Sequence, residues 1–140
     1  MSYDIYVKTI AHNEQRYNTV GDYYTNDEGQ DQLRVSEDTD HVYEMAVILH
    51  ELVEMCWARD HGVGNDIIDA FDNEFEQLIR DGKESEDAEP GDHPDCPVYE
   101  GHQMASVIER AFITMMGRSW KFYDQSMMVQ VKERMRRENQ

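Results

Sequence analysis

His41-Val42-Tyr43-Glu44-Met45-Ala46-Val47-Ile48-Leu49-His50-Glu51-Leu52-Val53-Glu54-Met55-Cys56 sets the reading of this chain. Met45, Leu49, Leu52 and Cys56 recur at i, i+4, i+7 and i+11, with Ile48 and Val53 widening the stripe, which is the pattern of an amphipathic helix. Thr39 or Asp40 can cap its start, and Gly62 and Gly64 end it. Toward the C-terminus a second helix is expected from Asn65, burying Ile68, Phe71, Phe75 and Leu78 or Ile79. Residues 81–99 read as a long loop holding all three prolines, and eight acids fall between Asp81 and Glu100. A loop of that length in a compact domain is functional or mobile. The spacing then predicts a third helix over about residues 98–116, with Met104, Ile108, Ala111 and Met115 inward and Gly117 as the stop. Residues 120–123 read as a connector. A last amphipathic helix over about 124–138 turns Met127, Met128, Val131 and Met135 inward.

Toward the N-terminus the period changes to two. Residues 3–8 alternate and are rich in aromatic and β-branched types. Residues 22–25 and 32–36 flank Asn26-Asp27-Glu28-Gly29, a natural turn, and read as a hairpin. With the first strand they predict a small three-stranded, mostly antiparallel sheet. The expected architecture is a single α+β domain over residues 1–140, β-rich over 1–38 and helical over 39–140. No internal repeat interrupts it.

The chain of 140 residues carries a net charge of −17, unevenly spread. Residues 1–117 hold 27 acids and 7 bases, whereas residues 118–140 hold 3 acids and 6 bases. An acidic body argues against nonspecific nucleic-acid or anionic-membrane binding, which needs Lys and Arg. Solubility, cation binding and docking to a basic protein partner remain as readings of that charge. No run of about 18 apolar residues offers a membrane helix, and the first residues lack the pattern of a secretory signal. The expected compartment is therefore cytoplasmic, with Cys56 and Cys96 as reduced thiols. Met127 and Met128, together with the basic C-terminal end, are compatible with a homodimer.

His50 and Glu54 stand four residues apart, so they project from one face of the helix, one turn apart. That spacing lets two side chains reach one metal ion, and it equally lets them hydrogen-bond to each other. Glu51 lies beside them, about 100° around the helix, where it can polarise a metal-bound water as general base. His102 at the start of the third helix is the natural completing residue, and Glu109 lies seven positions further on near the same face. Two imidazoles with carboxylates suit Zn²⁺ and would accept Mn²⁺ or Fe²⁺.

The sheet, the edge hairpin and the His50-Glu51-Leu52-Val53-Glu54 helix together resemble a minimal zincin-type metallohydrolase core over roughly residues 20–80. Glu54 stands where that family has a second histidine. In the gluzincin group an acid on the following helix supplies the third ligand, which the resemblance would place at Asp69 or Asp72; with Asp72 the expected metal set is His50, Glu54, Asp72 and His102. The same helix, Asp69-Ala70-Phe71-Asp72, Glu89-Pro90-Gly91-Asp92, and Tyr99 with His102 also resemble an uncharacterised group of bacterial and phage proteins. A different likeness uses the same acids: Glu51-x-x-Glu54 with Asp69-x-x-Asp72 is similar to the paired motifs of the MazG-type all-α nucleotide pyrophosphohydrolases. That likeness implies carboxylates on two helices holding Mg²⁺ against substrate phosphates. A third function class is an acidic, phage-type inhibitor that covers a basic surface. No phosphate-cradling glycine loop, nucleophile elbow or dinucleotide fingerprint is present.

Overall fold

The computed structural model describes residues 4–140. Tyr3, where the first strand was expected to begin, lies outside them. Three strands, β1 (Ile5–Ile10), β2 (Gly21–Thr25) and β3 (Asp31–Ser36), precede four helices, α1 (His41–Asp60), α2 (Asn65–Arg80), α3 (Tyr99–Met115) and α4 (Trp120–Glu138). The fold is α+β.

The hairpin forms where the turn sequence lies. Asn26 accepts backbone N–H bonds from Glu28 at 3.1 Å and Gln30 at 2.8 Å, and Gly29 takes a positive φ of 79° that a side chain would resist. β2 and β3 pair antiparallel with Tyr23 opposite Leu33, while β1 pairs parallel to β3 with Val7 opposite Leu33. The strand order is β1-β3-β2, so the sheet is mixed rather than mostly antiparallel. The cause lies in residues 11–20, which carry the chain past β3 before β2 begins. Side-chain alternation sets which face of a strand is buried; it does not set the direction of the neighbour.

Asp40 caps α1 by accepting from Val42 N at 3.0 Å. Gly62 past its end and Gly117 past α3 have φ of 68° and 73°, the left-handed turn that stops a helix. Two apolar clusters form the core. One gathers Tyr23, Leu33, Met55, Ala58 and Ile68, and the other Val35, Val42, Ala46, Val47, Ile113 and Tyr123. His50 and Glu54 occupy the turns of α1 between the residues serving one cluster and those serving the other.

Two expectations about the helices are corrected. α4 begins at Trp120, capped by Ser119, so residues 120–123 are its first turn and Tyr123 is buried. On α3 the buried residues are Gly101, His102, Ala105 and Ile113, and the expected inward stripe Met104, Ile108, Ala111 and Met115 is exposed. The apolar period was correct for a helix, but the small and polar face is the one that meets α1. Gly101 allows the approach, since a Cβ there would collide with the Trp57 ring. Met127 is buried and Met128 half-buried against the interior, so neither is free for the outward contact suggested for them. Among the described residues no helix is long and apolar enough to cross a membrane, and both cysteines are free thiols.

Candidate metal centre

α1 and α3 run antiparallel. Arg118 just past α3 pairs with Asp40 at the start of α1 at 3.0 Å, while Trp57 near the end of α1 meets Gly101 at the start of α3. That crossing brings His50 and Glu54 against His102. His50 Nε2, Glu54 Oε2 and His102 Nδ1 lie 3.1, 3.1 and 3.2 Å from one another. All three residues are buried, with exposures of 7 to 8%. A tetrahedral ion with bonds of about 2.0–2.1 Å holds its ligand atoms about 3.3–3.4 Å apart. The triangle is therefore close to the face such an ion would require.

The remaining polar atoms of His50 and Glu54 are held from behind. His50 Nδ1 lies 2.7 Å from Glu109 Oε1, and Tyr123 donates its hydroxyl to the other oxygen of Glu109. A proton on Nδ1 satisfies Glu109 and leaves the Nε2 lone pair aimed at the triangle. Tyr23 donates to Glu54 Oε1 at 3.0 Å, freeing Oε2 for the same point. His102 Nε2 is 3.3 Å from Asp92 Oδ1 and 3.5 Å from Glu89 Oε2, yet it is oriented for a hydrogen bond to neither. His50 thus stands between the central point and the Glu109 carboxylate, the arrangement that orients and strengthens a histidine ligand, whereas His102 Nε2 has no such bond.

The electrostatics agree. Burial opposes a charge on His50, but Glu109 and Glu54 override it and push its pKa up to about 10. Burial likewise opposes a charge on His102, and the nearby carboxylates of Asp92, Glu54 and Glu89 override it and raise its pKa. For Glu54, burial is outweighed by His102 and His50, which hold its carboxyl below the ordinary carboxylate range. Without a metal, protons supply the positive charge that this cluster of acceptors demands.

The centre opens on a cavity of 440 Å³. Residues of the 81–98 loop roof it. Ala88, Glu89, Pro90, Gly91 and Asp92 line it, and Gly91 lies so close to the His102 ring that a Cβ would collide with it. Glu51 is on the wall, close against Gly21 of β2, and no described side chain donates a hydrogen bond to it. Burial, with the charge of Glu54 adding to it, pushes the Glu51 pKa well up. Ten acids line the cavity with His50 and His102, and no Lys or Arg does.

Of the residues picked from the sequence, His50, Glu54 and His102 meet at one point and Glu51 stands beside them on the cavity wall. Asp72 does not join the group: it accepts from Tyr17 at 2.9 Å and lines the cavity apart from the triangle. Burial raises its pKa to about 7, with Tyr17 opposing and Glu54 adding to the rise. Asp69 is taken by Arg16 at 2.9 Å. The supporting residues Glu109, Tyr123, Tyr23, Glu89 and Asp92 were not assigned roles from sequence. Glu109 alone gave a signal there, as an acid on the His102 face of α3. Compared with protein-family models, curated proteins and solved structures, the chain matches none, so the zincin-like likeness gains no structural counterpart.

Proposed function

We propose that the protein binds a divalent transition-metal ion, zinc fitting the donor set best, through His50 Nε2, Glu54 Oε2 and His102 Nδ1. The observation that carries this reading is the buried triangle of 3.1–3.2 Å among three potential donors, with the His50 imidazole held from behind by Glu109. Two histidines and one glutamate leave a tetrahedral ion one position for water. The cavity beside it gives a substrate access, so metal-assisted hydrolysis is the reaction class this site suits. Glu51, without a hydrogen-bond donor of its own, is the carboxyl in place to exchange a proton with that water.

The absence of Lys and Arg from the cavity wall favours neutral or cationic ligands over phosphates. This weighs against a nucleotide pyrophosphohydrolase.

The test is metal content by plasma mass spectrometry on untagged protein, followed by zinc titration. One equivalent per chain is expected, abolished by His50→Ala with His102→Ala. Glu109→Gln is expected to retain binding but to weaken it roughly 10- to 100-fold. Failure of the parent protein to take up zinc at micromolar concentration would overturn the assignment.

A further inference from the structure

The roof loop brings two acids to the outer edge of the His102 ring. Residues 90–92 form one turn of 3₁₀ helix, with Asp92 N donating to Glu89 O at 3.1 Å. A turn of three residues sets Glu89 and Asp92 on one side. Gly91 between them is buried, and its backbone lies so close to the imidazole that an added Cβ would fall 2.3 Å from Nδ1. That approach fixes where the two carboxylates arrive. Asp92 Oδ1 stands 3.3 Å and Glu89 Oε2 3.5 Å from His102 Nε2, the nitrogen turned away from the inner triangle. The three atoms lie within 4.8 Å of one another. Gln103, the next residue of α3, donates to Asp92 Oδ1 at 2.9 Å and steadies that carboxylate.

His102 Nε2 carries the argument. The residue is 8% exposed, and this nitrogen is buried without a hydrogen bond among the described residues. A charged ring N–H engaged by a carboxylate closes to about 2.7–2.9 Å. Here two carboxylates reach the nitrogen, and neither closes to that distance or aligns with it. Separations of 3.3 and 3.5 Å are instead those of ligands sharing one tetrahedral ion, about 3.3–3.4 Å apart. Charge points the same way. Among the described residues neither Glu89 nor Asp92 pairs with a Lys or Arg, and His102 is the cationic partner of both. Their side chains are 47% and 59% exposed, so an ion in solvent reaches them directly.

We propose that Glu89 Oε2, Asp92 Oδ1 and His102 Nε2 form a second, outer cation site, whose divalent transition-metal ion fastens the roof loop to α3. One imidazole and two carboxylates suit zinc or manganese, with water completing the shell. His102 then serves two ions, Nδ1 facing the inner triangle and Nε2 the outer site. The lone pairs of the two nitrogens diverge, so the ions stand on opposite edges of the ring and share no water. The outer ion therefore holds the roof in place rather than activating the inner water. When both ions are bound, the ring gives its Nε2 proton to solvent as the Nε2–metal bond forms, and the resulting imidazolate bridges them. The outer site uses no atom of His50 or Glu54, and it stands whether or not the inner triangle binds metal.

Zinc titration of the untagged full chain, read by calorimetry and by plasma mass spectrometry after dialysis, tests it. Beyond the equivalent assigned to the inner triangle, a second is expected to bind more weakly, because its carboxylates are exposed and the first ion repels it. Glu89→Gln with Asp92→Asn alters only exposed side chains and is expected to lose the second equivalent with the helical circular dichroism unchanged. Were these acids no more than supports for His102, that variant would keep every equivalent and weaken the first roughly 10- to 100-fold. His50→Ala is expected to keep the outer equivalent. One equivalent that survives His50→Ala and is lost with Glu89→Gln and Asp92→Asn would uphold the outer site even if the inner centre failed. Asp95→Asn with Glu100→Gln changes two exposed acids outside the site and is expected to lose nothing. Amide hydrogen exchange over residues 88–93 is expected to slow when the outer site fills. The proposal is overturned if every equivalent bound up to about millimolar zinc survives Glu89→Gln with Asp92→Asn, or if none survives His50→Ala. Loss of the second equivalent in Asp95→Asn with Glu100→Gln, or a roof that exchanges equally with and without metal, would also overturn it.

Discussion

Toward the cavity, α1 and α3 present His50, Glu54, His102 and Glu109; away from it, the same helices present Met45, Leu49, Met104, Ile108 and Met115. The usual arrangement of an amphipathic helix is thereby reversed over these turns. Burying charged groups costs several kcal/mol per ion unless each is paired, and leaving an apolar stripe in water forgoes about 25 cal/mol per Å². The inner face meets part of its cost through hydrogen bonds among Glu54, His50, His102, Glu109, Tyr23 and Tyr123. The outer face is covered only in part, with Leu49 and Leu52 half-buried and Met45, Met104, Ile108 and Met115 exposed. The two faces teach different things: the buried polar network points to a ligand, and the exposed stripe shows that an apolar period does not by itself decide which side of a helix is covered.

The contrast can be broken most forcefully at Glu54. Glu54→Ala leaves two imidazoles facing each other without their shared carboxylate, and metal-free protein is expected to lose about 3–5 kcal/mol in urea unfolding. A loss below about 1 kcal/mol would mean that the inner network is not a strained cluster of acceptors. Next comes the roof. Gly91→Ala sets a methyl group against the His102 ring and is expected to cost about 1–3 kcal/mol while weakening zinc uptake. An unchanged zinc affinity would detach the loop from the centre.

Asp72 sharpens the boundary of the inner face. Its folded pKa of about 7 stands above its ordinary 3.8, so the unfolded chain releases that proton more readily. Its contribution to stability therefore falls as pH rises from about 4 to 7. Asp72→Asn removes that loss. The variant is expected to be more stable than the parent by a kcal/mol or more at about pH 8 and no more stable at about pH 3, with zinc affinity unaltered. Lost zinc binding would restore Asp72 to the ligand set. The smallest effect belongs to the outer face. Met115→Gln, measured at a concentration too low for association, is expected to change stability by no more than about 0.5 kcal/mol. A larger loss would show that the stripe is covered within the monomer.

Much of the frame was readable from local chemistry. Asp40 as a cap, the Asn26–Gly29 turn, and Gly62 and Gly117 as stops all act within a few residues of themselves. His50 and Glu54 share a face because helical geometry puts them there. His102 was reachable because a histidine directly past an acidic, proline-rich loop is unusual chemistry. Asp72 entered the expected site through the gluzincin resemblance, yet Tyr17, fifty-five positions away in sequence, holds it elsewhere. Glu109 depended on the crossing of α1 and α3, and no local signal marked it as the residue behind His50.

The sequence by itself determined the α+β composition, the helices with most of their ends, and the one-turn placement of His50 and Glu54, because each depends on interactions spanning one turn. The tertiary structure decided which side of α3 is inside. Periodicity shows where the apolar stripe lies on a helix, but only packing shows whether the chain itself covers it. Here Gly101 and Ala105 are small enough to bring α3 close to α1, so His102 and Glu109 are carried inward and the methionine stripe is left outside.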